Sequence, residues 1–231
     1  MDDLTSQNNC IECDKVSNCF KKLIPSELEF INLKKTQVTY LKGENITKQG
    51  AFSSNIFYIV SGLVKVYLEC AGNKKINFRI SKSSDFIGLS GISGEDTYNY
   101  STQAIKDSVV CVIEKEGFQK LISNSGVFAV EIIKAYCNRE KTLFNKVRSL
   151  GHNQMHGRLA NTLLYLSGEN FANENIFSYL SRKDLADFAC ISTESAVRIL
   201  TDLKKEGIIS LNGKKIEILQ RDLLKEILRR G

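Results

Sequence analysis

Proline is almost missing from this chain: Pro25 is the only one in 231 residues. Glycine must therefore supply most of the punctuation between elements. Histidine is nearly as scarce. Only His152 and His156 are present, both beside the C-terminal third, and cysteine-dependent catalysis would need a base near its thiol. No P-loop, dinucleotide fingerprint or paired-carboxylate signal occurs, so an enzyme is not expected. No apolar run approaches the roughly 18 residues a membrane helix needs. The start, Met1-Asp2-Asp3, is acidic and lacks the apolar region of a secretory signal. A cytoplasmic protein with no membrane partner is the expectation.

Hydrophobic residues make up 42% of the chain, enough to bury a core, and the net charge is +6. A positive balance permits a polyanionic partner. It does not demand one, because residues 150–231 hold 12 Lys/Arg against 10 Asp/Glu. The seven cysteines, in a chain expected to meet a reducing compartment, point to metal binding or redox sensing more than to disulfides.

Four regions separate along the chain: a cysteine-rich segment over 1–24, a strand-rich region over 25–118, a long helix over 119–149, and helices plus a hairpin over 150–231. Phe57–Val60 and Leu63–Leu68 flank Ser61-Gly62, Val109–Ile113 is a buried-type run, and Ala71-Gly72-Asn73 reads as a hairpin turn. Short strands at this spacing suggest a small antiparallel roll. In the long helix, Phe128, Ile132, Tyr136, Leu143, Val147 and Leu150 recur at spacings of three and four, with Arg139 in the gap. That stripe is expected to be a seam between two subunits, with no acid near its centre. A core helix linking two domains is the plainer alternative.

The C-terminal region is the most informative. Ser181-Arg182-Lys183-Asp184 has capping-box form, and the helix it starts breaks at Cys190-Ile191-Ser192. A second helix runs from Ser192 to about Glu206 and stops at Gly207, with Ala196, Ile199, Leu200 and Leu203 as its buried stripe. Asn212-Gly213 then separates two short apolar strands, a hairpin signal. Two helices and a basic-tipped hairpin make a winged helix-turn-helix. Its second helix fits a DNA major groove. Arg198 suits guanine, Glu194 suits cytosine, and Val197 suits a thymine methyl. Ser192, Thr193, Arg182, Lys183, Lys214 and Lys215 are expected at phosphates. An ordinary surface ion pair between Glu194 and Arg198 is the competing reading.

With Tyr58-Ile59-Val60-Ser61-Gly62, Asp85-Phe86-Ile87-Gly88, the long helix and the Glu-x-x-x-Arg of Glu194–Arg198, the chain resembles the Crp/Fnr family over nearly its whole length. The resemblance implies an α+β fold: a cyclic-nucleotide-binding-like β-roll (jelly roll), a dimerisation helix and a C-terminal winged helix-turn-helix. It implies a homodimeric transcription regulator that binds inverted repeats in double-stranded promoter DNA and contacts RNA polymerase. Cys190 departs from the family, standing where a turn glycine is usual. A left-handed non-glycine residue there costs about 1–2 kcal/mol. Val197 also departs, replacing a small polar residue of the oxygen-sensing branch, which puts the half-site in doubt.

The family's roll often holds a cyclic nucleotide, through an arginine for the phosphate and an acid for the ribose. Here no arginine lies between Arg79 and Arg139, Leu89 stands at the acid's position, and Tyr98-Asn99 replaces Arg-Ser. A phosphate without a cation is poorly held, so no cyclic nucleotide is expected. The cysteines offer another sensor. Cys10-x2-Cys13-x5-Cys19 with a remote Cys111 can surround a [4Fe–4S] cluster, whereas structural zinc more often uses two separated pairs. The pattern is similar to the family's oxygen-sensing branch, which implies Cys10, Cys13, Cys19 and Cys111 as ligands of an oxygen-labile cluster. Zinc, a thiol-disulfide switch and an unknown small ligand in the roll remain alternatives. Cys70, Cys137 and Cys190 read as ordinary residues.

Overall fold

The computed structural model describes residues 20–231, so Cys10, Cys13 and Cys19 lie outside the described residues. The chain forms two compact units. One runs to Glu69 and resumes over Arg79–Lys141; the other joins Cys70–Phe78 to Thr142–Gly231.

The first unit is an antiparallel roll. Its sheet is formed by β1 (Lys35–Tyr40), β2 (Asn45–Thr47), β3 (Asn55–Glu69), β4 (Lys75–Lys82, whose residues before Arg79 count with the other unit), β5 (Phe86–Ile87) and β6 (Ser101–Glu114). The main path is β1-β6-β3-β4, with β2 on β6 and β5 on β3. Sequence alone suggested two strands on either side of Ser61-Gly62. They form one 15-residue strand instead. The pairing with β6 slips between Ile59 and Val64, so bulges bend the strand where a turn was expected. Gly62 permits this at φ 102, and a Cβ there would stand 2.2 Å from Ser108 Oγ.

Alternation along β3 fills two cores. Ile56, Tyr58 and Val60 join one cluster, whereas Phe57 and Ile59 join the other, as a period of two requires; Val64 joins the second cluster because the bulges shift the alternation before it. The first cluster also takes Phe20, Ile31, Phe86, Cys111, Phe118, Phe128 and Ile132. Burying each aromatic contributes roughly 1.5–3 kcal/mol.

Helices flank the strands. Helix α1 (Pro25–Leu33) begins with Pro25 in its first turn, where a missing N–H costs nothing. This helix was not read from the sequence, and the strand-rich region opens with it. The long helix expected over 119–149 is two helices, α2 (Lys115–Asn124) and α3 (Gly126–His152). Ser125, at φ -117 and ψ 94, breaks them.

The seam on α3 also differs from expectation. Phe128 and Ile132 belong to the roll's core and are not available to a partner. The exposed apolar residues include Val130, Ile133, Phe144 and Val147, with Tyr136 and Leu143 beside them. Together with Cys137 and Glu140, both exposed, the first four fall at alternating steps of three and four. Glu140 therefore sits at the centre of the stripe, where no acid was expected.

In the second unit, α4 (Met155–Leu166), α5 (Arg182–Ala189), α6 (Thr193–Lys205) and α7 (Arg221–Arg230) surround a hairpin of β7 (Ile209–Asn212) and β8 (Lys215–Ile218).

Candidate nucleic-acid interface

The helix-turn-helix is built from its caps inward. Ser181 Oγ accepts from the Asp184 N–H at 3.1 Å, and Asp184 Oδ2 accepts from the Ser181 N–H at 2.9 Å, a reciprocal capping box. At the far end of α5, Cys190 adopts φ 52 and ψ 48. The left-handed turn is thus kept without glycine. Ile191 N–H closes it on the Ala186 carbonyl at 3.1 Å.

Helix α6 then starts at Ser192, whose Oγ accepts from the Ser195 N–H at 3.1 Å. Ala196, Ile199, Leu200 and Leu203 are all buried, which fixes the helix's rotation. Gly207 (φ 68) ends it: its N–H reaches the Lys204 carbonyl, and Ile208 N–H reaches that of Leu203, the paired bonds of a Schellman stop.

That rotation turns the candidate base readers outward. Glu194 and Arg198 are exposed, and Val197 keeps 45% of its surface. Arg198 makes no ion pair or hydrogen bond among the described residues, so the surface ion pair with Glu194 does not form. Glu194 is held below the ordinary carboxylate range, first by its own backbone N–H and then by the Ser192 hydroxyl. It stays charged beside the helix N-terminus, where a carboxylate is favoured. Ser192 is exposed and Thr193 half-buried at the same end.

The hairpin differs by one residue from the sequence reading. Asn212 pairs with Lys215, so the two-residue turn is Gly213-Lys214, and Gly213 takes φ 58. Lys214 and Lys215 are both exposed at its tip. Arg182 has a further task. Its guanidinium donates to the Gly213 carbonyl at 2.8 Å and is lowered by burial, so it ties the hairpin tip to the start of α5. Lys183 lies 3.5 Å from Asp187, one turn along.

One contributor escaped the sequence reading. Lys146 of α3 donates to the Phe188 carbonyl and stands 5.8 Å over the Phe188 ring, a cation at the C-terminal turn of α5. Burial holds its amine below the ordinary lysine range. Nothing in the periodicity of α3 distinguishes Lys146 from a solvated lysine.

In the roll, Cys111 sits on β6, opposite Gln37 of β1 and Tyr58 of β3. It is 7% exposed and shares its core cluster with Phe20. Phe20 is anchored firmly, with its ring 5.3 Å from Tyr58, 5.5 Å from Phe128 and 5.7 Å from Phe86. The positions compared with a cyclic-nucleotide pocket are filled. Leu89 is buried in the core. Tyr98 is buried and donates to the Asn55 carbonyl at 2.9 Å, and the Gly88 N–H donates to the Tyr100 hydroxyl at 3.0 Å. A Cβ on Gly88 would lie 3.1 Å from the Tyr98 ring.

Comparison with known proteins agrees with this division. Residues 37–125 match the family described as "Cyclic nucleotide-binding domain", and residues 157–227 match the "Crp-like helix-turn-helix domain". The chain is 29% identical over 210 residues to the anaerobic regulatory protein of Bacillus subtilis, covering 88% of each. It is 26% identical over 184 residues to the transcriptional activator protein anr of Pseudomonas aeruginosa, covering 77% of this chain and 74% of that one. The fold is shared with FixK2 from Bradyrhizobium japonicum at a TM-score of 0.74 and 20% identity, over 84% of this chain and 96% of that one. Among the described residues, no helix is long and apolar enough to cross a membrane.

Proposed function

The chain belongs to the Crp/Fnr family of DNA-binding transcription regulators, and from that premise we propose a homodimer that reads an inverted repeat and reports redox state through a [4Fe–4S] cluster. The observation that carries the DNA reading is the outward face of α6, where Glu194, Val197 and Arg198 are exposed and Arg198 has no partner among the described residues. Arg198 has two parallel donors for the O6 and N7 of guanine, and Glu194 accepts from the N4 of cytosine. Val197 meets a thymine methyl. Ser192, Thr193, Lys183, Lys214 and Lys215 contact phosphates, which position the helix without reading sequence. Arg182 acts mainly by holding the hairpin tip.

Two copies meet along Val130, Ile133, Cys137, Phe144 and Val147, an apolar stripe that one chain alone leaves in water. Paired half-sites then follow from two-fold symmetry. RNA polymerase is the expected partner at the promoter.

The cluster reading rests on the donor set and on Phe20. Four thiols, those of Cys10, Cys13, Cys19 and Cys111, are the donor set of such a cluster. When bound, it supplies an oxygen-labile redox centre. Phe20 is fixed in the core cluster that contains Cys111, and consecutive Cα atoms are about 3.8 Å apart. Phe20 directly follows Cys19 in sequence, and its membership of the cluster that contains Cys111 supports this ligand set. The four ligands fasten the N-terminal segment to β6. No cyclic nucleotide binds, because Leu89, Tyr98 and Tyr100 occupy the roll with their own packing and hydrogen bonds.

The test is operator affinity of the wild type, Arg198→Ala and Cys13→Ser, each with and without air. Arg198→Ala is expected to lose specific binding in both conditions and keep its fold. Cys13→Ser is expected to lose the difference between conditions. Unchanged affinity in Arg198→Ala contradicts the readout, and a wild type indifferent to air contradicts the sensing.

A further inference from the structure

The second unit has a concavity away from α6. A half-open cleft of about 610 Å³ is lined by the C-terminal part of α3 with α4, α7, Phe78 of β4 and Phe188 of α5. Small-molecule sites span roughly 300–1,000 Å³. Lys146, Arg148, His152 and Arg229 line the cleft, and no Asp or Glu does. Tyr165 and Phe188 form an aromatic wall, their rings 6.1 Å apart.

Lys146, Arg148 and Arg229 make no ion pair among the described residues, although Asp222 acts electrostatically on Arg229 from outside the cleft. The ion pairs of this unit among the described residues are Lys183–Asp187, Lys225–Asp222 and Arg230–Glu226, and none uses a cleft cation. Arg148 is oriented by Asn145 Oδ1 at 2.9 Å. Burial lowers the Lys146 amine, and the ionisable groups acting on it are Cys190 and Arg158, neither a carboxylate. Buried positive charge is costly unless it is paired. An anion entering this cleft would meet basic side chains with no carboxylate among the lining residues on one side and apolar ring surface on the other.

Two further placements matter. Asn145 and Ser149 line the cleft, and at 100° per residue they point away from Phe144 and Val147, whereas Arg148, about 40° from Phe144, lies at the margin of the stripe. A dimer joined through that stripe leaves the Asn145 and Ser149 side of the cleft uncovered, with Arg148 at its rim. None of Glu194, Val197 and Arg198 lines it, so its ligand is separate from the base-reading face.

We propose that this cleft binds a small organic phosphate, with Arg148 and Arg229 holding the phosphate, Lys146 adding charge, and the ligand's apolar or aromatic body against Tyr165 and Phe188. The inference does not depend on the iron–sulfur reading. A DNA backbone phosphate presents the same anionic chemistry, so the experiment separates the two sources.

The full chain would be titrated calorimetrically with phenyl phosphate and with inorganic phosphate, alongside Arg229→Gln and the Arg148→Gln/Arg229→Gln double variant. Operator affinity would be measured on the same preparations. Phenyl phosphate is expected to saturate one site per chain and to bind at least about tenfold more tightly than inorganic phosphate. The double variant should weaken it about tenfold or more, a change of about 1.4 kcal/mol, while operator affinity stays within about twofold. Arg229→Gln alone should give a partial loss, which keeps the test alive if the double variant folds poorly. Absence of saturable binding overturns the proposal, as does undiminished binding in both variants. So does a large loss of operator affinity in the variants, which would assign the cations to DNA.

Discussion

Replacing Cys190 by glycine and, separately, by alanine tests the helix-turn through the sign of a difference. Cys190 sits at φ 52 and ψ 48. Alanine keeps the Cβ and the left-handed penalty of about 1–2 kcal/mol, which glycine escapes. Glycine in turn gives the unfolded chain more freedom, worth about 0.4–1 kcal/mol against it. Both variants lose the weak Sγ contact to the Asp187 carbonyl at 3.8 Å, so that contact cancels from the comparison. The net expectation is that Cys190→Gly is more stable than Cys190→Ala by roughly 0.5–1 kcal/mol. At an ordinary helical or extended position the order is the reverse. Urea unfolding of both full-length variants measures the difference, with equal m-values as the check that like states are compared. A Cys190→Ala variant as stable as Cys190→Gly, or more so, would refute the strained turn.

Other perturbations have equally definite outcomes. Ser181→Ala removes one half of the capping box and should cost about 1 kcal/mol in the same assay, with base-reading residues untouched. Phe118→Ala empties a fully buried site and should destabilise the roll by about 3–5 kcal/mol, read as a lowered urea midpoint. Glu140→Leu should tighten a dimer joined along α3 by about tenfold or more, because it removes facing carboxylates from an apolar stripe; sedimentation equilibrium checks this. The Lys146 amine is lowered in the folded chain from 10.5, so the unfolded chain holds that proton to higher pH. The cost of burying the charge is therefore present below the folded value and fades as pH rises towards 10.5. Stability of the wild type relative to Lys146→Met should accordingly rise with pH across that window, and a flat difference contradicts the assignment.

How much was legible depended on how local the cause is. Ser181, Ser192 and Gly207 announce helix ends because a cap is made by residues within a few positions of each other, and all three occupy the expected places. The buried stripe of α6 was equally plain. Failures cluster where distant contacts decide. Phe128 and Ile132 have the spacing of a subunit seam, yet the roll claims them through Phe20 and Phe118, and periodicity cannot say which neighbour wins. The break between α2 and α3 has no proline or glycine before it, only Ser125. Bulges at Gly62 depend on the close approach of Ser108, 46 positions away. Lys146 is important only because α5 ends against it. Phe20 had a weak local signal, an aromatic residue closing a polar cysteine-rich segment.

The measurement that bears most directly on the account is the visible spectrum of protein purified without oxygen, with iron, sulfide and zinc content, followed during exposure to air. A brown protein with about four iron and four sulfide per chain, bleaching in air, is expected, and a Cys111→Ser variant should hold markedly less iron. A colourless wild type that carries zinc, or no metal after reconstitution, would contradict the iron–sulfur sensor.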